Sequence, residues 1–286
     1  MLHEGTIMSI DLQKLVDQSP QISSLPTIFF QINEAVEDPE SSFVEIGEII
    51  SGDPSLSVRL LKVVNSSFFG FPNKIETITH AVTIVGMAQL RDLALATTIV
   101  NQFKGIPKKL INMENFWLHS VATGLTAKVI AIYRRESNAD RFYLMGMLHD
   151  LGRLLLLLNI PEPMKTVMDK YELGGAMYDV ENNVLGFDHS SVAGKLLESW
   201  KLPEMLQEAV AYHHKPTLAP HYPLAASIVH IADIIAHGME LGSCGERYVP
   251  PLNSQAWEML DLPSSLLSSI IEQVDRQVNE AVEIFL

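Results

Sequence analysis

The chain has 286 residues, of which 47% are hydrophobic, and its formal net charge is −14 at pH 7. This length allows one large domain or two ordinary ones, and the apolar fraction is sufficient for a substantial core. The acidic balance excludes a general affinity for nucleic acid or for an anionic membrane surface, because no basic field is available to meet phosphate groups.

Helical periodicity dominates the chain, and no stretch shows the sustained alternation of a strand. Pro26 opens a predicted helix that Pro39 ends. Ser41 or Ser42 caps the next helix, with Glu45 completing a capping box. These boundary signals predict short helices joined by tight turns.

The following stretch continues the helical pattern. Pro54 suits the first turn of a helix that carries apolar residues to Val64. A loop is predicted from Ser66 to Lys74, and two helices near residues 77–85 and 87–103 are expected to meet at a hinge.

The segment KGIPKK, residues 104–109, is the predicted linker, since it is short and charged and contains glycine and proline. It divides the chain into an N-terminal helical lobe, residues 1–106, and a second helical lobe, residues 107–286, that ends in acidic helices. Within the second lobe, helices are predicted near residues 113–134, 141–158, 163–173, 176–185, 188–200, 203–214, 223–238, 254–260 and 264–284. The expected fold class is therefore all-α, with two lobes.

The stretch FYLMGMLHDLGRLLLL, residues 142–157, is nearly all apolar, yet His149 and Asp150 stand side by side in it and Arg153 follows one turn later. Such a stretch should be buried, and buried histidine and aspartate are costly unless they are satisfied. Arg153 has two open interpretations, a buried charge pair with Asp150 or a clamp for a phosphate group.

Further histidines and an aspartate also occur among core residues of predicted helices, namely His119, His189, His213, His214 and Asp233. A single histidine on an apolar face is more often a satisfied core residue than a ligand. Adjacent pairs change this balance, because they need partners in two directions. A divalent metal ion satisfies neutral imidazole and carboxylate together.

The remaining histidines support weaker predictions. His230 and His237 share a helix face with Asp233. His237 is expected to be a helix-end residue. His230 could contact a metal ligand on the side that faces away from the metal. His80 is expected to be structural, and His3 and His221 are expected in loops or solvent.

Cys244 is the only cysteine, which excludes an intrachain disulfide and a thiolate zinc cluster. No signal-peptide pattern stands at the N-terminus, so a reducing cytoplasm is the expected location. The most hydrophobic run, Leu154 to Leu158, falls short of the roughly 20 apolar residues that a membrane span requires.

The order of His119, His149-Asp150 and Asp233 resembles the HD superfamily of metal-dependent phosphohydrolases, which is all-helical. ISGDPSLSVRLLKVVNSSFFG (50–70) and IETITHAVTIVGMAQLRDLALA (75–96) are similar to the HDOD domain, a relative of the HD and HD-GYP domains of bacterial signalling. MLHDLGRLLL, LGFDHSSVAGKLLESWKLPEMLQEAVAYHHKP and IVHIADIIA agree with that similarity, which covers roughly residues 18–238.

The resemblance implies a site for one or two divalent transition-metal ions, with iron, manganese, nickel and zinc all open. The implied ligands are His119, His149, Asp150, His189, His213, His214 and Asp233. Asp150 is expected to bridge two ions, because a carboxylate can span them and imidazole cannot. Asp150 and Arg153 are the candidate catalytic residues.

Three positions depart from the HD-GYP pattern. Asn115 stands where domains with a third metal carry glutamate, and Arg153 stands where lysine is usual. Lys215 and Pro216 follow the histidine pair in place of the acidic, glycine-rich GYP loop. The first departure argues against a third metal, and the last puts the nucleotide specificity of HD-GYP domains in doubt.

Three functions remain open. The favoured one is a bacterial signalling module that relays the metal or ligand state of an HD-type site to a protein partner. The second is a metal-dependent phosphohydrolase acting on a phosphate ester or nucleotide, and hydrolysis of cyclic di-GMP is not expected. A DNA-binding regulator is disfavoured by the charge. The expected partners are a signalling protein and a phosphate-containing small ligand, without general nucleic-acid or membrane binding.

Overall fold

The computed structural model describes residues 10–18, 25–66, 69–103, 106 and 110–285. Helices dominate these residues and no strand occurs among them, which confirms the all-α prediction. The predicted linker, residues 104–109, lies outside the described residues apart from the buried Ile106. The division into lobes at residues 106 and 107 therefore stays a prediction. His3 also lies outside the described residues.

The first part of the chain forms short helices whose starts follow the predicted signals. They are α1 (Leu12–Asp17), α2 (Thr27–Glu37), α3 (Phe43–Ser51), α4 (Pro54–Val64), α5 (Ile78–Val85) and α6 (Met87–Gln102). Ser42 Oγ accepts from the backbone N–H of Glu45 at 3.1 Å, as the capping prediction requires. Gly86, with φ of 99°, turns the chain between α5 and α6. Only α1, which packs on a helix near residue 190, was not predicted.

The second part of the chain contains longer helices. They are α7 (Met113–Arg134), α8 (Ala139–Leu148), α9 (Leu151–Asn159), α10 (Pro161–Tyr171), α11 (Met177–Leu185), α12 (His189–Ser199), α13 (Glu204–Ala211), α14 (Pro223–Gly238), α15 (Ser254–Leu260) and α16 (Leu267–Phe285). Short 3-10 turns at Pro216–Leu218 and Ser264–Leu266 precede α14 and α16.

Two helix predictions were wrong, one at the His149-Asp150 pair and one at the His213-His214 pair. The helix predicted near residues 141–158 is two helices, interrupted at His149 and Asp150. The helix predicted near residues 203–214 ends at Ala211, so His213 and His214 lie in the turn after it. In both places a histidine ring bonds a main-chain carbonyl that a continuing helix would have used, so the side chain competes with the backbone ladder.

The buried helix α7 organises the core, since α8, α14 and α16 all pack against it. It meets α8 at two glycines: a Cβ on Gly146 would lie 2.7 Å from Cα of Gly124. Because the two backbones touch there, His119 on α7 and His149 after α8 are brought together at one end of the pair. In the described part of the chain no single helix is both long and apolar enough to cross a membrane; two sharply bent helix pairs pass that test by length and composition.

A second close approach generates the first prediction. A Cβ on Gly152 of α9 would overlap the carbonyl oxygen of His189 and lie 2.9 Å from the nitrogen of Ala193 on α12. Gly152→Ala should therefore lower the free energy of unfolding by about 3 kcal/mol or more, because the opposing atoms are backbone and cannot rotate away. Urea unfolding followed by circular dichroism measures this change.

Gly238→Ala is the matched control, since a Cβ at this exposed helix end meets nothing within 4 Å. We expect it to be neutral or stabilising by about 0.5–1 kcal/mol. Equal urea midpoints for the two variants would show that the contact between α9 and α12 is not tight.

Candidate metal centre

The structure brings the seven predicted ligands into one buried cluster, each at most 7% exposed. The cluster comprises His119, His149, Asp150, His189, His213, His214 and Asp233. They come from α7, from the breaks after α8 and α13, from the start of α12 and from the middle of α14. Residues more than 110 positions apart thus meet in the interior.

The two aspartates lie between the imidazole rings. Oδ1 of Asp233 lies 3.0 Å from Nε2 of His119 and 3.6 Å from Nε2 of His149. Asp150 turns one oxygen to each side: Oδ2 lies 3.3 Å from Nε2 of His149, and Oδ1 lies 3.1 Å from Nε2 of His189. The two oxygens of Asp150 thus contact two different imidazole rings.

Main-chain carbonyl groups set the protonation of two rings. Nδ1 of His149 lies 2.6 Å from the carbonyl oxygen of Gly146, and Nδ1 of His213 lies 2.7 Å from that of Val210. A carbonyl oxygen only accepts, so each Nδ1 must donate, and in the neutral ring Nε2 carries the lone pair. Both Nε2 atoms face the cluster, and neither has a hydrogen-bond partner among the residues that the structure describes.

A carboxylate that the sequence analysis missed holds His189. Glu181 of α11 is fully buried, and its Oε2 accepts from the backbone N–H of His189 at 2.9 Å and from Nδ1 of its ring. Nε2 is thereby directed at Nε2 of His214, 2.8 Å away. The signal was available, because Glu181 lies four residues from both Met177 and Leu185 and so stands on the apolar face of its helix.

The donor set fits a divalent cation. Several buried atoms have no hydrogen-bond partner among the described residues: His119 Nδ1, His149 Nε2, Asp150 Oδ2, His213 Nε2 and His214 Nδ1. Buried polar atoms without partners are costly, and a cation would satisfy those that carry lone pairs. Three overlapping triplets within the cluster hold their donor atoms within 4.8 Å of one another.

Two of the three guanidinium nitrogen atoms of Arg153 contact buried carboxylates. Its Nε donates to Oδ1 of Asp150 at 3.1 Å, and Nη2 pairs with Glu246, whose side chain is 5% exposed. Nη1 alone has no partner. The charge-pair interpretation of Arg153 therefore describes most of its contacts, and Glu246 was missed because a carboxylate in a loop gives no periodic signal.

Glu246 belongs to the strap, which we define as residues 239–253 between α14 and α15. A Cβ on Gly242 would overlap the carbonyl oxygen of Asn115, and Ser243 donates its backbone N–H to that oxygen at 3.0 Å. Further along, the backbone N–H of Arg247 donates to the hydroxyl of Tyr171 at 2.9 Å. The strap thus closes over the cluster beside His119.

The other histidines have separate roles. His230 donates from Nδ1 to the carbonyl oxygen of His213 at 2.8 Å and accepts on Nε2 from the backbone N–H of Asn253 at 3.0 Å, so it joins the histidine turn to the strap. His237 ends α14 as expected, but its ring turns inward to Asp233. His80 is exposed, and His221 lies at the surface.

Burial and neighbouring charge move the pKa values of the rings in opposite directions. Burial lowers the pKa of His149, but Asp150 and Asp233 outweigh it and raise the value to about 10. Burial lowers the pKa of His213 to about 3, and the positive charge of His149 and His189 adds to the effect. The rings cannot all hold protons together, and a cation that binds His149 must displace its proton.

A model of the HDOD domain family matches residues 22–216. A curated relative, an uncharacterised protein of Treponema pallidum (strain Nichols), is 26% identical over 219 residues. That match covers 75% of this chain and 42% of the relative, so the chain spans less than half of the relative's length.

Two solved structures show the same fold. An HDOD domain protein of unknown function from Geobacter sulfurreducens is 23% identical, with a TM-score of 0.73 and coverage of 96% of this chain and 98% of that one. A protein from Shewanella amazonensis, whose name carries a provisional phosphohydrolase assignment, is 24% identical, with a TM-score of 0.73 and coverage of 96% of both chains.

The contact behind His189 generates a prediction. Glu181→Gln should weaken binding of Mn²⁺ or Zn²⁺ at the cluster by about 10- to 100-fold, because a neutral amide no longer orients the ring or raises its basicity. Titration calorimetry on chelator-treated protein measures the dissociation constant. Glu162→Gln, which changes an exposed carboxylate at the start of α10, is the control. Equal affinities in the two variants would remove Glu181 from the site.

Proposed function

The chain belongs to the HDOD domain family, and from this premise we propose that it is a signal-transduction module that relays the metal state of its HD-type cluster to a protein partner. The observation that carries the proposal is the convergence of all seven predicted ligands, with lone pairs directed inward by backbone carbonyl groups. When bound, divalent ions supply Lewis acidity and positive charge. Asp150 contacts His149 through one oxygen and His189 through the other, and it is the proposed bridging ligand.

The burial of the cluster favours a sensor over an enzyme that must admit a substrate in each catalytic cycle. Asp150 is 1% exposed, and even His214, the most accessible ligand, is 7% exposed. The strap lies over the cluster and its Glu246 pairs with Arg153, so Asp150 has almost no accessible surface for a phosphate ester to contact in this conformation. A phosphohydrolase would have to displace the strap in every cycle, whereas an ion needs only a small opening.

Helix α8 supplies the proposed route to the N-terminal part of the chain. It ends immediately before His149 and packs against α6. At its other end, Asp140 pairs with the buried Lys128 of α7 at 2.8 Å. Burial raises the pKa of Asp92 on α6, and the positive charges of Arg91 on the same helix and of Arg141 on α8 oppose that rise, so charged side chains of the two helices lie close together. Since helices move as rigid units, a shift at His149 would reach α6 through this packing.

Hydrogen exchange with and without Zn²⁺ or Mn²⁺ tests this relay. We expect added metal to slow exchange around residues 149–153 and to change protection in α6. Asp150→Ala should abolish both effects and lose the most metal by elemental analysis, because a bridging ligand serves two ions. His80→Ala, at an exposed position, should retain both. Metal binding that leaves α6 unchanged would contradict the relay.

A metal-dependent phosphohydrolase is the second candidate, favoured by two cationic groups. Arg153 keeps Nη1 without a partner beside Asp150, and Lys215 lies 5.5 Å above the ring of Tyr178, which stacks on His214. In this alternative Arg153 and Lys215 would hold phosphate. Turnover of bis-(p-nitrophenyl) phosphate by metal-loaded protein, lost in Asp150→Ala, would favour it over the sensor.

We predict that metal-loaded protein does not hydrolyse cyclic di-GMP at a useful rate. Hydrolysis needs the phosphodiester held in line with its nucleophile, and positioning can be worth about 7–11 kcal/mol of the barrier. The segment after His214 is held by α13, because Glu208 of that helix accepts from the backbone N–H groups of His221 and Tyr222, each at 2.9 Å. We therefore do not expect this segment to position the phosphodiester. Chromatography of the nucleotide products checks this. Turnover that disappears in Asp150→Ala would show the prediction to be wrong.

A further inference from the structure

We propose that Cys244 and His237, together with His119 of the seven-residue cluster, form a binding site for a thiophilic divalent ion such as Zn²⁺. Cys244 and His237 do not belong to the ligand set predicted from the sequence. Cys244 lies in the strap, His237 at the end of α14 and His119 on α7, so the site exists only where these elements meet.

His237 presents a lone pair to this site. Its Nδ1 lies 3.1 Å from the main-chain oxygen of Asp233 and 2.9 Å from Oδ1 of the same residue. Because the carbonyl oxygen can only accept, Nδ1 must donate, and in the neutral ring Nε2 holds the lone pair. A carboxylate that orients the back of an imidazole in this way is a recurrent feature of metal-ligating histidines.

Two different donors face that nitrogen. Sγ of Cys244 lies 3.8 Å from Nε2 of His237, and Oε2 of Glu246 lies 3.8 Å from the same atom. Ideal Zn–N and Zn–S bonds at a tetrahedral angle separate nitrogen and sulfur by roughly 3.5 Å, so a closure of a few tenths of an ångström completes the geometry. Thiolate, imidazole and carboxylate together are a donor set that suits zinc.

The neighbouring ring adds an independent indication. His119, His237 and Cys244 each offer one ligand atom, and these atoms lie within 4.8 Å of one another. His119 is fully buried, its Nε2 contacts Asp233, and its Nδ1 has no hydrogen-bond partner. A cation at this edge would therefore lie among the donor atoms of His119, His237 and Cys244, with the carboxylate of Glu246 close to His237.

The site is held in place by the chain itself. Cys244 is 1% exposed, and the flanking Ser243 is fixed through its backbone N–H to the carbonyl oxygen of Asn115 at 3.0 Å. A simpler arrangement is possible, in which the thiol donates a weak hydrogen bond to His237. The two differ in one respect: an ion displaces the thiol proton to solvent and leaves a metal–sulfur bond.

Titration of the chelator-treated full chain with Co²⁺, in a reducing agent without thiols, distinguishes them. We expect a near-ultraviolet sulfur-to-cobalt charge-transfer band that is absent in Cys244→Ser. Zn²⁺ binding at this site should weaken by more than about 100-fold in that variant, beyond the loss expected for an outer-sphere partner. His237→Gln should weaken it similarly, and it serves as the test if Cys244→Ser fails to fold.

Asp150→Ala separates this site from the seven-residue cluster, because Asp150 is not among the three donors. The band should survive in Asp150→Ala, and loss of the band there would overturn a separate site. Co²⁺ uptake by the wild-type chain without a charge-transfer band would overturn the proposal and leave the proposed function intact. A band without metal at the seven-residue cluster would support this site and contradict the proposed function.

Discussion

Desolvation of imidazole and carboxylate groups in an apolar interior is the constraint on which this structure depends. Each buried ring has two nitrogen atoms that need partners, and for His149 and His213 the backbone of the chain supplies one of those partners. His149 and His213 donate to carbonyl groups three residues earlier, and both stand just after a helix ends. A helix end leaves carbonyl groups without intrahelical partners, so the break supplies the acceptor that the ring requires. The other nitrogen of each ring is left for the centre of the cluster.

The helices around the cluster are arranged to keep these short contacts. Glycines allow α7 to touch α8 and allow α9 to touch α12, so that elements bearing different ligands approach at backbone distance. A larger residue at Gly146 or Gly152 would push these helices, and the ligands that they carry, apart. The ring-to-carbonyl bonds at the helix ends and the glycine contacts between helices therefore both fix the positions of the ligands.

The strap gives the cluster its closed character. It delivers Glu246 to Arg153 and Cys244 to His237, and His230 anchors its end through Asn253. These contacts place the strap beside both the seven-residue cluster and the proposed site at Cys244.

Periodicity and capping signals, which are local, were enough to predict the all-α class and most helix bounds. The seven residues that gather in the interior were implied by the resemblance of the ordered motifs to the HD and HDOD domains. Packing was needed to show where two of the helices stop. The rings of His149 and His213 bond carbonyl groups three residues earlier in competition with the helical ladder, and burial of both rings by distant helices is what requires these bonds. The partners of Arg153 and His237 also follow from packing, because Glu246 and Cys244 lie in a loop 93 and 7 positions away, respectively, with no repeating pattern to connect them. Contacts across such separations follow from how helices pack, and packing is not written in any local stretch of sequence.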